Sequence, residues 1–189
     1  MMKKNIDLER RSVDERNSDH FQELQKILDH SMLNSEGWKS ILGDVIPMEI
    51  SDRKDLQKIP ITRKSDLSNL QSKIPPFGGL TTKPVNYFKN IYVSPGPIYD
   101  PGGRDDFWRM SRAMSAAGFN KGDIVYNTFS YHLTPAGEMM EQGANYIGAC
   151  VIPGGIGNTE QQIQAIDKLK PNRYVGTVSY THLRAHETS

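Results

Sequence analysis

Residues 124–152 have the sequence IVYNTFSYHLTPAGEMMEQGANYIGACVI, and this stretch decides the fold. It begins with an apolar run over 124–129 and ends with a second one over 149–152, and both are typical of buried strands. Between them the apolar residues recur at helical spacing, and Thr134 followed by Pro135 predicts a capped helix start. A strand, a helix and a second strand in this order predict a parallel βαβ unit.

The segments on either side continue the same alternation. Residues 90–94 predict a strand, and the apolar spacing over 107–117 predicts a helix that ends at Gly118. On the other side, the pattern predicts a helix over 158–169 and a last strand over 173–177. The expected fold class is therefore α/β, a parallel sheet with flanking helices.

The start of the chain differs in character from this region. Sparse apolar residues at helical spacing predict a helix over 19–33, and a short second helix is expected to stop at Gly43. Further along, Thr62 is the predicted cap of another helix. We therefore expect a helical segment over 1–50, followed by the α/β domain over 51–179.

Composition excludes several functional classes. The 23 Lys and Arg residues nearly balance the 22 Asp and Glu residues, which does not favour a nucleic-acid-binding surface. The single Cys150 excludes a disulfide framework and a cysteine-based zinc site. No apolar run reaches the roughly 18 residues of a membrane span, and no secretory signal follows Met1. We expect a cytoplasmic protein with no membrane or nucleic-acid partner.

Ligands of parallel α/β sheets bind beyond the carboxyl ends of the strands, which points to the loops 94–103, 130–135 and 153–158. The first loop contains glycines, but its three prolines each remove an N–H group that could hold a phosphate oxygen. It also contains no lysine. The residues leave two readings open, a stiff connecting turn and a phosphate contact.

Aromatic and hydroxyl groups cluster in the second loop. Tyr131 or His132 would line a pocket or polarise a carboxylate there. In the alternative, Tyr131 packs at the sheet edge and His132 is a solvated or capping residue. Because a single histidine without a partner is weak evidence for acid–base chemistry, pocket lining is favoured over direct catalysis.

The third loop carries three glycines, Gly154, Gly155 and Gly157, before the predicted helix start. Asn158 with Gln161 three residues later resembles a capping box. Free backbone N–H groups at such a helix start can meet an anion, although glycines also serve ordinary turns. We predict that this loop faces a ligand.

Four segments, in this order and spacing, resemble the phenylacetate–CoA ligase family of adenylate-forming enzymes. They are IPITRKSDL at 59–67, AAGFNKGDIV at 116–125, NTFSYHLTPAG at 127–137 and GACVIPGGIGNTEQQ at 148–162. The resemblance covers roughly residues 50 to 180 and implies a partial N-terminal domain of an adenylate-forming enzyme.

The resemblance implies an enzyme that uses ATP and Mg²⁺ to activate a carboxylic acid and then transfers the acyl group to coenzyme A. Phe129, Tyr131 and Met140 point to an apolar or aromatic acid. No residue is assigned as catalytic or as a metal ligand. The implied site residues are a phosphate-loop remnant, substrate-pocket candidates and a ligand-facing loop: Ser94 and Gly96; Phe129, Tyr131, His132, Thr134 and Gly137; and Gly154, Gly155, Gly157, Asn158, Thr159 and Glu160.

The sequence departs from the family in two ways. Over 94–101 the family's threonines and lysine are replaced, and the chain is less than half as long as family members. Residues 180–189 resemble translated adapter sequence, so His182 and His186 are not taken as metal ligands. We expect an N-terminal fragment that is inactive alone. Two alternatives stay open, a non-catalytic acyl- or nucleotide-binding module and an adenylating enzyme with another acyl acceptor, and a homodimer is also open.

Overall fold

The computed structural model describes residue 8 and residues 10–177, which form two compact units. The first unit combines the residues up to 87 with 95–99, and the second combines 88–94 with the residues from 100 onward. The expected boundaries at 50 and 179 stay a prediction. The expected tail over 180–189, with its two histidines, lies outside the described residues.

The first unit opens with the long helix α1, Val13–Asn34. Helix α1 begins well before the predicted residue 19, because Ser12 and Glu15 form a capping box. The Ser12 hydroxyl accepts from the Glu15 backbone N–H at 3.2 Å, and the Ser12 N–H donates to the Glu15 carboxylate at 2.9 Å. The sequence contains this Ser-x-x-Glu capping signal. The residues around it are charged, so the apolar spacing did not reveal the helix start.

The core of the first unit forms where α1 meets the short helix α2, Glu36–Leu42. Gly43 ends α2 with a positive φ of 55°, as predicted. Leu28, Leu42 and Ile50 are buried together. Two 3₁₀ turns, Pro47–Glu49 and Asp55–Lys58, carry the chain onward.

Helix α3, Lys64–Lys73, follows, and a 3₁₀ turn, Val85–Tyr87, precedes the second unit. The prediction that Thr62 caps α3 is wrong, because Arg63 occupies the cap position and makes no side-chain capping bond. The buried side chain of Gln71 on α3 hydrogen-bonds to the backbone of Tyr99, as the main chain of a neighbouring strand would. Its amide donates to the Tyr99 carbonyl at 2.8 Å and accepts from the Tyr99 N–H at 2.9 Å.

The parallel sheet belongs to the second unit and has three strands in the order β4–β3–β5. These are β3, Ile124–Asn127; β4, Cys150–Pro153; and β5, Arg173–Val175. Both pairings are parallel. The α/β fold class with a parallel sheet and flanking helices is thus confirmed.

The strand predicted at 90–94 exists but does not join this sheet, so that part of the prediction is wrong. It is β1, Asn90–Ser94, and it forms a separate two-stranded sheet with β2, Ile98–Gly102. Three residues, 95–97, reverse the chain between the two strands, with Gly96 at a φ of 116°. The prolines that argued against a phosphate loop therefore belong to a hairpin and not to a strand–helix connection.

Three helices flank the parallel sheet: α4, Met110–Ala116; α5, Ala136–Ile147; and α6, Thr159–Leu169. Buried side chains from α4, α5, β3 and the turns after α4 and α5 make one apolar core: Met114, Phe119, Val125, Ala144, Ile147 and Ala149. Gly143 allows close approach of α5 to α4, because a Cβ there would lie 2.8 Å from the Met110 Cβ.

Two predicted helix caps in this unit are wrong. Pro135 occupies the cap position of α5, and the Thr134 hydroxyl instead donates to the Ser130 carbonyl at 3.4 Å. Asn158 occupies the cap position of α6, but at a φ of 49° its side chain makes no capping bond. Within the described part of the chain, no helix has both the length and the apolar character that crossing a bilayer requires.

The sheet is tied to its flanking turns by Asp123, a buried carboxylate just before β3. It accepts from the Asn120 N–H at 2.8 Å and from the Asn172 side-chain amide at 2.8 Å, and the Arg173 Nε lies 2.9 Å from it. These hydrogen bonds, that of Asn120 first, hold the pKa of Asp123 below its ordinary value of 3.8.

A carboxylate with a lowered folded-state pKa stabilises the fold above its unfolded-state pKa, and this stabilisation is lost as the pH falls through the lowered value. We expect Asp123→Asn to flatten the loss of stability of the chain below about pH 4. Urea unfolding at a series of pH values measures this slope. The exposed Asp167, which pairs with Lys170 just after α6 and whose pKa is also lowered by that lysine, supplies the comparison Asp167→Asn, in which a smaller change of slope is expected because solvent screens an exposed pair. An unaltered slope in Asp123→Asn would contradict the assignment.

Candidate functional site

The carboxyl ends of the three parallel strands meet at one edge of the sheet. Asn127, the last residue of β3, is level with Pro153 on β4 and with Val175 on β5. The loops predicted at 130–135 and 153–158 therefore leave from the same edge, where α/β sheets bind their ligands.

Asn127 is fully buried and joins these loops. Its side-chain amide donates to the Tyr131 hydroxyl and to the Gly137 carbonyl, both at 2.8 Å, and its side-chain oxygen accepts from the Phe129 N–H at 3.1 Å. Its backbone carbonyl accepts from the Gly155 N–H at 3.0 Å. One residue thus holds the aromatic loop, the start of α5 and the glycine loop in a fixed arrangement.

Tyr131 is partly buried beside this junction. Its hydroxyl accepts from the Asn127 side-chain amide at 2.8 Å. Burial first, and then the hydrogen bond and charge of Glu141, raise the pKa of Tyr131 well above its ordinary value. Tyr131 therefore stays protonated and uncharged at neutral pH.

Glycines make room for the Tyr131 ring. A Cβ on Gly137 would lie 2.8 Å from that ring and 2.8 Å from the Ser130 carbonyl oxygen. On the other loop, a Cβ on Gly155 would lie 3.9 Å from the ring. The aromatic loop and the glycine loop therefore lie close together across the edge of the sheet.

The inner side of the glycine loop packs against the core, and its outer side is exposed to solvent. A Cβ on Gly154 would lie 2.8 Å from the ring of the buried Tyr126, and Gly155 and Gly157 have positive φ angles of 64° and 82°. The predicted residues on the outer side are all exposed: Gly157, Asn158, Thr159 and Glu160. This arrangement leaves the start of α6 open to solvent, as a loop that meets a ligand requires.

The other predicted pocket residues lie less centrally. Phe129 and Thr134 are partly buried, and His132 is exposed, with its backbone N–H bound to the Ser130 hydroxyl at 3.1 Å. Within the part of the chain that the structure describes, no carboxylate pairs with His132 to orient it as a base. The geometry therefore agrees with the alternative in which His132 is a solvated residue.

Ser94 lies at the end of β1, and the neighbouring Val93 N–H donates to the Leu133 carbonyl at 2.8 Å, so β1 reaches the aromatic loop. The Ser94 hydroxyl itself donates to the Asp100 carboxylate. Gly96, in the hairpin turn, lies beside Lys64, whose ammonium group donates to the Pro95 carbonyl.

This geometry does not suit a phosphate at Ser94. The hydroxyl that would contact a phosphate oxygen is bound to a carboxylate, whose negative charge repels an anion. The exposed start of α6 instead offers an anionic group backbone N–H groups, and the one acidic residue of its first turn, Glu160, is exposed to solvent. Within the described residues, no three His, Cys, Asp or Glu side chains lie together as a metal site.

Sequence reasoning missed several residues that shape this edge. Asn127 could have been recognised from the sequence, because it is a polar residue within an apolar strand pattern. Glu141 lies one helical turn from Gly137 and was not distinguished from a solvated residue. The hydroxyl of Thr128, directly after β3, and that of Tyr174 on β5 share a hydrogen bond of 2.9 Å, a contact that follows from the pairing of the two strands.

Curated relatives support the motif resemblance. The chain is 29% identical over 183 residues to a phenylacetate-coenzyme A ligase of Aromatoleum evansii, with 92% of this chain and 40% of the relative covered. It is 30% identical to a phenylacetate-coenzyme A ligase of Escherichia coli, with 92% of this chain and 41% of the relative covered. The chain is a homologue of phenylacetate–coenzyme A ligases. It spans about 40% of the length of these relatives.

Solved structures agree on the fold. An open conformation of 2-hydroxyisobutyryl-CoA ligase in complex with 2-HIB-AMP and CoA matches 88% of this chain and 38% of its own, with a TM-score of 0.82 and 22% identity. The same ligase in its postadenylation state in complex with R3-HIB-AMP gives a TM-score of 0.82 over 89% of this chain. At this identity the likeness shows the fold alone. No protein-family model matches the sequence.

Proposed function

We propose that this chain forms the first part of a longer ATP-dependent acid–CoA ligase. Such an enzyme activates a carboxylic acid with ATP to an acyl adenylate and passes the acyl group to coenzyme A. The observation that carries the proposal is the junction at Asn127, which brings the aromatic loop and the glycine loop to one edge of a parallel sheet. Homology to acid–CoA ligases over 92% of the chain supports it.

In this proposal the aromatic loop lines the acid pocket. The Tyr131 ring, whose hydroxyl accepts from Asn127, forms one wall, and Phe129, Thr134 and Gly137 adjoin it. Ring faces favour an apolar or aromatic acid, since they bury much surface and stack on other rings. His132 takes a peripheral place, since it is exposed.

The exposed outer part of the glycine loop, from Ile156 onward, and the start of α6 contact the nucleotide or coenzyme A in this proposal, since the N-terminal end of a helix attracts anionic groups. Mg²⁺ would arrive with the ATP phosphates and neutralise their charge. We assign no metal ligand in this chain. A cytoplasmic location and assembly as a homodimer are further parts of the proposal, and neither membrane nor nucleic acid is a partner in it.

The source DNA provides the test of this proposal. We expect the reading frame to continue past codon 178, and the longer protein to release pyrophosphate when given phenylacetate, ATP and Mg²⁺, and to form the thioester when coenzyme A is added. The 189-residue chain alone is expected to show only background turnover. Omitting the acid is the control. A folded longer protein that is silent with aryl and aliphatic acids alike would refute the ligase assignment.

A non-catalytic binding module is the second candidate, and one observation favours it. The Ser94 hydroxyl is bound to Asp100, so the loop over 94–101 does not offer that group to ATP. A stop codon at the end of this chain, together with binding of coenzyme A or AMP without turnover, would support the binding module over the ligase.

A further inference from the structure

Gln162 is a buried residue in the first turns of α6, with 6% of its surface exposed. Its side-chain oxygen accepts from the Tyr126 hydroxyl at 3.2 Å. Its side-chain nitrogen donates to the Gly155 carbonyl at 3.4 Å and to the Gly157 carbonyl. A single amide therefore joins a core tyrosine to two carbonyl groups of the glycine loop.

The loop is fixed at its other end as well. The Gly155 N–H donates to the Asn127 carbonyl, and Gly154 lies against the Tyr126 ring. Between these attachments only the outer surface of the loop is open, and the Ile156 side chain there is 65% exposed. The inner surface of the loop is thus set by the core, and the outer surface is free to meet a ligand.

We propose that Gln162 is a positioning residue, which sets the shape of loop 154–158 from inside the fold and so prepares its outer surface for a ligand. The ligand part of this inference rests on the proposed function. Gln162 itself is buried behind the loop, so it acts through the backbone of the loop and does not contact the ligand.

An amide is the chemical group that this position requires. It offers N–H donors to two carbonyl oxygens and, on its other side, an acceptor to the Tyr126 hydroxyl. A leucine would fill the space but leave the carbonyls without donors, and a glutamate would turn a negative oxygen toward them. Gln161, next on the same helix and exposed, lacks this environment and supplies the matched control.

The test uses nitrogen-15 relaxation of the whole chain and its Gln162→Leu, Gln162→Glu and Tyr126→Phe variants. We expect backbone order parameters over 155–158 to fall from the rigid value of about 0.85 to below about 0.6 in both Gln162 variants. Tyr126→Phe keeps the ring on Gly154 and removes only the hydroxyl, so a smaller fall is expected. Exchange of the Gly155 amide should accelerate about tenfold or more, while the Val125 amide of the buried strand and the Gln161→Leu control stay unchanged.

A second measurement separates this inference from the proposed function. Coenzyme A and AMP are titrated separately into each variant, and we expect affinity to weaken about fivefold or more for Gln162→Leu and not for Gln161→Leu. If neither compound binds the unaltered chain but the loop loosens as expected, the nucleotide-binding role fails and the positioning role holds. If the loop keeps its order in Gln162→Leu, or if Val125 loosens equally, the positioning role is overturned.

Discussion

Replacing Asn127 by alanine is expected to lower the free energy of unfolding by about 3 kcal/mol or more. The substitution removes a fully buried amide: the Phe129 N–H loses its acceptor, and the Gly137 carbonyl and the Tyr131 hydroxyl each lose one donor. A buried polar group left unpaired costs about 1–3 kcal/mol, and three are affected here. Urea unfolding followed by circular dichroism measures the difference.

Asn127→Asp changes the hydrogen-bonding groups of this residue while the side-chain volume stays nearly the same. The carboxylate keeps an acceptor for the Phe129 N–H, but its second oxygen faces the Gly137 carbonyl, to which the amide nitrogen donates in the unaltered chain. We expect a loss at least as large as that of alanine, because an unpaired buried charge is added. Asn145→Ala, at an exposed position of α5, is the control and should change stability by less than about 0.5 kcal/mol. Near-native stability in both Asn127 variants would remove this residue from the centre of the site.

The alternation of strands and helices was predictable because it depends on local periodicity. The apolar runs at β3 and β4 and the spacing within α5 lie within single segments, so the sequence contains the whole signal. The assignment of β1 to the parallel sheet failed for the opposite reason. A short apolar strand has the same sequence pattern in a hairpin and in a parallel sheet. The turn that follows the strand determines which strand it pairs with.

The candidate site, too, has a part that the sequence predicts and a part that it does not. Glycines and aromatic residues after β3 and β4 were visible in the sequence, because strand ends select loops by a general rule. The contacts that join those loops were not, since Asn127 meets Gly155 only through the strand register and Glu141 meets Tyr131 only after α5 has packed. The cap errors at Thr134 and Asn158 have local backbone causes, since Pro135 takes the cap position of α5 and Asn158 adopts a left-handed φ of 49° without a side-chain capping bond.

Gly137→Ala is expected to destabilise the chain by about 2–3 kcal/mol, although alanine is the better helix former. Glycine to alanine inside a helix ordinarily gains about 1 kcal/mol. At Gly137 the added Cβ would meet the Ser130 carbonyl oxygen and the Tyr131 ring, each at 2.8 Å, and neither can move without disturbing the Asn127 junction. Urea unfolding gives the stability, and the Tyr131 ring proton shifts report the displaced loop.

A double-mutant cycle separates the two obstacles at Gly137. Tyr131→Ala removes the ring but leaves the Ser130 carbonyl in place, so Gly137→Ala should cost about 1 kcal/mol less in that background than in the unaltered chain. Ala136→Gly, on the same helix, is the control and should lose no more than about 1 kcal/mol through helix propensity alone. If Gly137→Ala proves neutral or stabilising, the aromatic loop is not held against α5, and the Tyr131 ring does not form a fixed wall of the proposed pocket. If it destabilises with full additivity, the carbonyl contact alone accounts for the cost, and Tyr131 is free to move when an acid enters.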